Sequence, residues 1–310
     1  MFKNTLDNKR YYTLNCYYKN KYGKKVFKVS LNGGFTCPNI DGTVGKRGCI
    51  YCSAKGSGDF AGDINKDIVT QFNEVKEIML KKWPDALYIG YFQANTNTYA
   101  SVDKLKSLFE PILKQENVVG LNIATRSDAI SDEVLDYLID LNNRCDLVVE
   151  LGLQSIHEKT LNLIRRGHDL KNFEDTYYRL KRVGIKVVVH IINGLPYETK
   201  EMMIETARYL NKLDIDGIKI HMLHIIKNTD LEKMFNKENF HILTREEYID
   251  VVINQLEELN ENIVINRITG DPVKEDLIAP EWLLKKFVVL NEIDKEMERR
   301  NSYQGIKCKK

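Results

Sequence analysis

Residues 32–62 read NGGFTCPNIDGTVGKRGCIYCSAKGSGDFAG, and the rest of the chain takes its meaning from them. Three of the six cysteines lie here: Cys37, then Cys49 after eleven intervening residues, then Cys52 after two more. Eight glycines, at 33, 34, 42, 45, 48, 56, 58 and 62, make the stretch a loop whose backbone bends sharply and approaches its neighbours closely. A strand-like run over 26–31 leads in, and helical periodicity begins near Asp63. A glycine-rich loop of this length between a strand and a helix is uncommon unless it is functional or disordered. Three clustered thiols favour function.

Outward from the loop the pattern repeats. Apolar strand-like runs at 86–93, 118–126, 145–154, 185–194 and 217–224 alternate with helical stretches near 64–82, 101–115, 131–143, 157–183 (broken at Gly167) and 198–213. With 26–31 this predicts six strand–helix units, an α/β chain built on a parallel sheet. The sheet curls into a partial barrel or lies open and doubly wound. Either way functional side chains belong at the C-terminal strand ends. Unusual polar residues fall there: Gln93 to Thr98, Arg126 and Asp128, Glu150 and Gln154, His190, and Lys219, His221 and His224. A lone Glu in an apolar strand is costly unless paired or functional. Each such residue has a plain structural alternative, capping a helix or satisfying buried backbone, but five strand ends behaving alike predict a pocket. From about Thr229 the rhythm changes to helices at 229–236 and 244–259, a strand at 263–269 and a charged helix at 280–300. The expected organisation is a basic arm (1–25), a barrel core (26–228) and a small C-terminal α+β module (229–310).

With 43% hydrophobic and 29% charged residues, the composition is that of an ordinary globular protein. No apolar run approaches the length of about 18 residues that spans a bilayer, and the first residues, MFKNTLDNKRYY, lack an apolar signal core; the expectation is a cytoplasmic protein without a membrane partner. The net charge of +2 hides an asymmetry: residues 1–30 carry eight basic residues and one acid, the remainder 38 basic and 43 acidic. Tyrosines 11, 12, 17, 18 and 22 interleave with the basic ones. Such a segment either follows a phosphate backbone and stacks on bases, or is a solvated helix whose tyrosines pack on the body.

Three readings of the thiols compete. Structural zinc wants four closed ligands, and the loop offers three, with Cys16 the only evident recruit and no His nearby. A redox dithiol would use Cys49 and Cys52 and leave Cys37 idle. An iron–sulfur cube accepts three thiolates and leaves one iron open to an outside ligand. Downstream, Gly56-Ser57-Gly58-Asp59-Phe60-Ala61 formally matches a dinucleotide turn but follows a cysteine loop rather than a strand, so the required context is missing.

The stretch CPNIDGTVGKRGCIYC resembles the cluster loop of radical S-adenosylmethionine proteins of the YhcC/YtqA-like branch. The family-wide spacing is C-x3-C-x2-C; the first gap of eleven marks this branch and, slightly shorter, the tRNA-acting Elongator-type enzymes. The resemblance runs on through YFQANTNTY, GLNIATRSD, ELGLQSIHEKTLNLIRRGHD, HIINGLPYET, KIHMLHIIKNTDL and RITGDP, nearly the whole chain. It implies a partial (βα)6 TIM-like barrel, a 4Fe–4S cluster on Cys37, Cys49 and Cys52, and S-adenosylmethionine cleaved to a deoxyadenosyl radical. Tyr51 would lie near adenine. Gln93 and Thr96 stand where the family has Gly-Gly-Glu. Glu150 and Gln154 would meet the ribose or carboxylate, and Asn193 and Leu223 would flank adenine, mostly through backbone. An electron donor such as flavodoxin or ferredoxin is implied as a partner.

For the substrate, the basic arm, the basic tail (Arg299, Arg300, Lys307, Lys309, Lys310) and the likeness to tRNA-acting enzymes point to tRNA. Some members of the branch are associated with wobble uridine, where carboxymethylaminomethyl at carbon 5 is trimmed to aminomethyl. Lys55 or Arg126 is then the expected holder of that carboxylate. Two alternatives stand beside this: a radical enzyme acting on a protein or small metabolite, and a non-enzymatic metal module that binds RNA.

Overall fold

A computed structural model describes residues 2, 4–53, 56, 58–238 and 240–308. The chain begins with α1 (Leu14–Tyr22) and then alternates: β1 (Val26–Leu31), α2 (Ile68–Leu80), β2 (Leu87–Phe92), α3 (Val102–Leu113), β3 (Val118–Thr125), α4 (Asp132–Arg144) and β4 (Asp146–Gln154). It continues with α5 (Glu158–Leu163), α6 (Leu170–Arg182), β5 (Lys186–Asn193), α7 (Lys200–Leu213), β6 (Gly217–Met222) and the short β7 (Ile225–Ile226). Last come α8 (Asp230–Glu238), α9 (Arg245–Glu258), β8 (Val264–Arg267), β9 (Leu277–Ala279) and α10 (Lys286–Arg299). The helices start where side chains accept orphan backbone N–H groups: Asp67, Ser101, Ser131, Asp169 and Thr199 cap α2, α3, α4, α6 and α7, and Thr244 with Glu247 forms a capping box on α9.

The sheet is parallel throughout, in the order β1-β2-β3-β4-β5-β6-β8, curled as a half-barrel. Here the structure differs from the sequence reading. The strand expected in a separate C-terminal module is the seventh strand of the main sheet, with Gly217 opposite Val264 and Lys219 opposite Arg267. Successive side chains of a strand point to opposite faces. Val29, Leu31, Leu121, Ile123, Leu147, Val149, Val187, Val189, Ile218 and Ile220 face outward into one core shared with the helices. Lys28, Tyr91, Glu150, His190, Lys219 and His221 face inward into the lumen.

The arm packs on the body. Ile265 N–H donates to the Tyr12 carbonyl at 2.8 Å, and α1 packs against both β1 and β8, closing the gap between the sheet's two edges. Tyr11 and Tyr18 are buried; Tyr18 packs with Val26 and Ile89, flanked by Tyr17 and Tyr22. Lys21 and Tyr22 each reach Asp146, the first residue of β4, at 2.5 Å. These contacts sit at the N-terminal strand ends, the end remote from the cysteine loop. The tail is stitched to the same region, Gln304 accepting from Tyr12 N–H at 2.8 Å, while Arg299, Arg300 and Lys307 pair with Glu296, Asp250 and Glu257. The structural alternative for the tyrosines therefore holds. No helix among the described residues is long and apolar enough to cross a membrane.

Candidate active site

The cysteine loop leaves β1 at the C-terminal strand ends and folds on itself. Cys37 accepts from Ile40 N–H at 2.9 Å, Pro38 from Val44 N–H at 2.8 Å, and Asn39 from Gly48 N–H at 2.7 Å. The buried Asn39 amide is the pin of this loop, donating to the Arg165 carbonyl at 2.7 Å and to Cys49 Sγ at 3.5 Å. Ile50 N–H donates to Ile164 and Leu231 N–H to Ile50, which fasten the loop to the turn after α5 and to α8. Gly167 (φ +81°) fits between these pieces: a Cβ there would meet Val44 at 2.9 Å, Asn39 at 3.0 Å and Arg126 at 3.1 Å.

All three thiols open into one cavity of about 790 Å³, which runs from the loop down the lumen. None is in a disulfide. The Cys52 thiol's hydrogen bond to Cys49, reinforced against burial by Arg166 and Arg126, holds the Cys49 thiol well below its ordinary range; the same bond raises Cys52. Arg166 is anchored by donating to the Gly152 carbonyl.

The donor set discriminates among the metal readings. Cys16, the recruit a zinc site needs, lies on α1 with its thiol on the Asn4 carbonyl, and it does not line the cavity. Among the described residues no three of His, Cys, Asp and Glu converge on a single ion. A cube asks for something else: three thiolates on three separate irons and an open approach to the fourth. Three cavity-lining thiols beside two guanidiniums fit that group.

The other expected residues divide. Tyr51, Gln93, Thr96, Gln154 and Leu223 line the same cavity. Gln154 takes φ +78° where β4 shifts register, a conformation that L side chains seldom adopt and that clusters at functional sites. Asn193 does not face the cavity. Its side chain pairs both ways with Gln255 at 2.8 Å, and its carbonyl accepts from Leu223 N–H at 2.9 Å. Arg126 is at the rim but is committed: Nε and Nη2 fork onto Asp128 at 2.8 and 2.6 Å, and Nη1 donates to the Arg166 carbonyl at 2.9 Å. It clamps the turn after β3 to residues 164–168, with its Nε, Nη1 and Nη2 all engaged within the chain. Lys55 lies outside the described residues.

Glu150 is the hub of the lumen floor. Its side chain is fully buried; Lys28 Nζ and Asn122 Nδ2 donate to Oε1 at 2.9 and 2.7 Å, His190 Nε2 lies 2.8 Å from Oε2, and Lys219 pairs with Oε2. Lys219 also reaches the Tyr91 hydroxyl at 2.9 Å. Burial pushes the Glu150 carboxyl up, but Lys219, Lys28 and His190 outweigh it and hold its pKa well below the usual range. Burial, then repulsion from Lys28, lowers Lys219 to about 7 against the pull of Glu150. Burial and Lys219 lower His190 to about 4. With four donors around it, the carboxylate is already saturated, so any cofactor contact at Glu150 has to be shared with these partners. Sequence reading passed over Lys28, Tyr91, Arg166 and Arg267 as site residues. The signal was there in the two-residue period: in VFKVSL, Lys28 and Ser30 share the face opposite Val29 and Leu31.

Comparisons with known proteins show the family. Residues 41–210 match the Radical SAM superfamily and residues 215–299 the Radical SAM C-terminal domain. The chain is 50% identical to YtqA of Bacillus subtilis over 297 residues, covering 96% of this chain and 92% of that one. It is 31% identical over 137 residues to the tRNA uridine(34) acetyltransferase of Methanocaldococcus infernus, 43% of this chain but 25% of that protein. The solved structure of M. infernus Elp3 with an N-terminal deletion superposes with a TM-score of 0.70 at 19% identity, over 91% of this chain and 64% of that one, a likeness of fold. Three thiols on a glycine-rich loop at the mouth of a half-barrel, and a family match over more than half the chain, lead to one conclusion: this chain belongs to the radical S-adenosylmethionine superfamily, whose members use a 4Fe–4S cluster and S-adenosylmethionine.

Proposed function

We propose that the chain is a tRNA-modifying radical enzyme that converts 5-carboxymethylaminomethyluridine at the wobble position to 5-aminomethyluridine. The observation that carries this is the cavity itself, wide enough for a nucleoside beside a cofactor and lined by thiols at one end and by a cationic floor at the other. Sequence likeness to a protein that acts on tRNA uridine 34 supports the substrate class; the packed arm does not.

Cys37, Cys49 and Cys52 would hold the cluster, with Tyr51, Gln93, Thr96 and Gln154 on the cofactor's side of the cavity. When bound, cluster and S-adenosylmethionine supply a hydrogen-atom abstractor. The chain's own residues do the rest. Asn39, Arg126 and Arg166 hold the loop in place, and the lumen walls fix the target carbon. The substrate's N–CH2–COO⁻ carbon loses one hydrogen atom and then one electron to a one-electron acceptor. The resulting iminium takes up water and separates into the aminomethyl nucleoside and a two-carbon aldehyde acid.

The test is an anaerobic assay of reconstituted protein with reductant, S-adenosylmethionine and tRNA bearing carboxymethylaminomethyluridine. Deoxyadenosine formed in step with loss of the carboxymethyl mass supports the reading. Deoxyadenosine indifferent to tRNA removes the substrate and keeps the radical enzyme. One observation favours a second reading, a radical enzyme acting on a small metabolite or protein: the basic arm is used for packing and faces away from the cysteine loop.

A further inference from the structure

The lumen floor is charged in an unbalanced way. Lys28 and Lys219 converge on Glu150, and Arg267 and Lys286 converge on Asp271 at 2.5 and 2.8 Å, so each carboxylate serves two cations. On this floor, four cations (Lys28, Lys219, Arg267, Lys286) therefore share two carboxylates (Glu150, Asp271). The Lys219 and Lys28 side chains are only 9% and 15% exposed. Cations taken out of water without a matching anion are costly. The Tyr91 ring lies 4.3 Å from one ammonium and 5.4 Å from the other, which softens that cost without cancelling it. Beside them, the buried His224 Nε2, which can donate as a neutral ring N–H, lines the cavity with no hydrogen-bond partner. Excess positive charge and an orphaned ring nitrogen able to donate, around one void, describe a site that a polar anion completes.

We propose that the floor between Lys28, Lys219 and Arg267 binds a carboxylate of the substrate and so sets how deeply the substrate enters the lumen. That this carboxylate belongs to a carboxymethylamino group rests on the function proposed above. Arg126, bound up with Asp128, leaves the task to the floor. Glu150 has a definite part in this scheme. It holds the two lysines together and competes with the incoming anion, so its removal and theirs act in opposite directions.

The experiment is calorimetric binding to the anaerobically reconstituted holoprotein. The probes are 5-carboxymethylaminomethyluridine, 5-methylaminomethyluridine, which keeps the amine but lacks the carboxylate, and N-methylglycine, which keeps the carboxylate but lacks the base. A charge-assisted contact predicts a preference of about tenfold or more for the carboxylate nucleoside. Lys219→Met and Lys28→Met should erase the preference, Lys219→Arg should keep it, and Glu150→Gln should sharpen it. The opposite sign of Glu150→Gln separates lost recognition from lost folding. Equal binding of both nucleosides to the unaltered protein overturns the anion site and leaves the uridine reading standing. If neither nucleoside binds but N-methylglycine does, with the same response to the variants, the anion site stands and the uridine reading falls. If N-methylglycine fails too, the site is overturned. A drop in S-adenosylmethionine affinity in Lys219→Met equal to the drop for the nucleoside assigns the floor to the cofactor and overturns the assignment to substrate.

Discussion

Lys219 and Glu150 show how two buried residues make a floor responsive to pH. Lys219 meets Glu150 from β4, Tyr91 from β2, Lys28 from β1 and Arg267 from β8, and burial with this company brings it to about 7. A carboxylate is drawn to the protonated lysine, so binding of N-methylglycine should weaken as pH rises through about 7 and lose that dependence in Lys219→Met; calorimetry at pH 6 and pH 8 checks it. Removing Glu150 leaves both lysines unpaired. Glu150→Gln should therefore cost about 3–5 kcal/mol in urea unfolding without anion, part of it recovered when a carboxylate ligand is added. Acid acts on the lumen histidines. Burial, followed by the neighbouring cations and, for His221, first by His190, lowers His190 and His224 to about 4 and His221 well below its ordinary value. Between about pH 6.5 and 4 the unfolded chain binds protons that the folded chain refuses, so stability falls as pH falls through that window. The slope is up to about 1.4 kcal/mol per pH unit for each fully refused proton. Urea midpoints at pH 7 and pH 5 measure it.

At the scale of elements, the sequence carried most of the architecture. The run 26–31 is β1 residue for residue, and the five later strands shift by one or two positions at their ends. The cysteine loop was legible as a functional loop because three clustered thiols among glycines argue against disorder, while the use of the thiols was left open by spacing and came from the family resemblance. What the sequence reading left out was that the polar residues it placed at strand ends continue down one face of each strand. Each has one apolar face toward the helices, and the polar residues scattered through them form the lumen, a pattern that a two-residue period reveals and a running average conceals. The seventh strand was hidden for another reason: helices separate β8 from β6 in the chain, and nothing local says which edge a late strand will join. Gly167 belongs to this scale too, since it lets three segments meet. Gly167→Ala should add about 1–2 kcal/mol of backbone strain and also push Val44, Asn39 and Arg126 apart, so iron and sulfide retained after reconstitution should fall. Gly184, with φ +73° and nothing within 4 Å of an added Cβ, is the control: Gly184→Ala should carry the strain and keep the iron.

For the whole molecule, the charge asymmetry is real, and part of it is spent on packing. Eight basic residues near the start of the chain suggested a nucleic-acid arm, yet Lys21 is spent on Asp146, Lys28 on Glu150 and Lys9 on Asp294, and the tyrosines among them plug the open side and base of a half-barrel. A curled sheet of seven strands has two free edges, and unpaired edges invite foreign strands. Thr13 bridging to Ile265, with α1 spanning to β1, resolves that problem with the chain's own first residues. Packing and RNA contact make different demands on the arm. If packing is its work, Tyr18→Ala should cost about 3–5 kcal/mol, the range for truncating a buried aromatic, and lower the urea midpoint. Exposed Lys24 and Lys25 could then both become Glu with tRNA affinity and its salt dependence unchanged, because they stand at the end of the barrel away from the thiols. If the arm instead follows a phosphate backbone, losing two cations should flatten the salt dependence of binding by nearly two phosphate contacts, while Tyr18→Ala would leave the folded protein almost as stable as before. Filter binding across a salt series, paired with unfolding of the same two variants, separates the two, and the buried tyrosines lead us to expect the first.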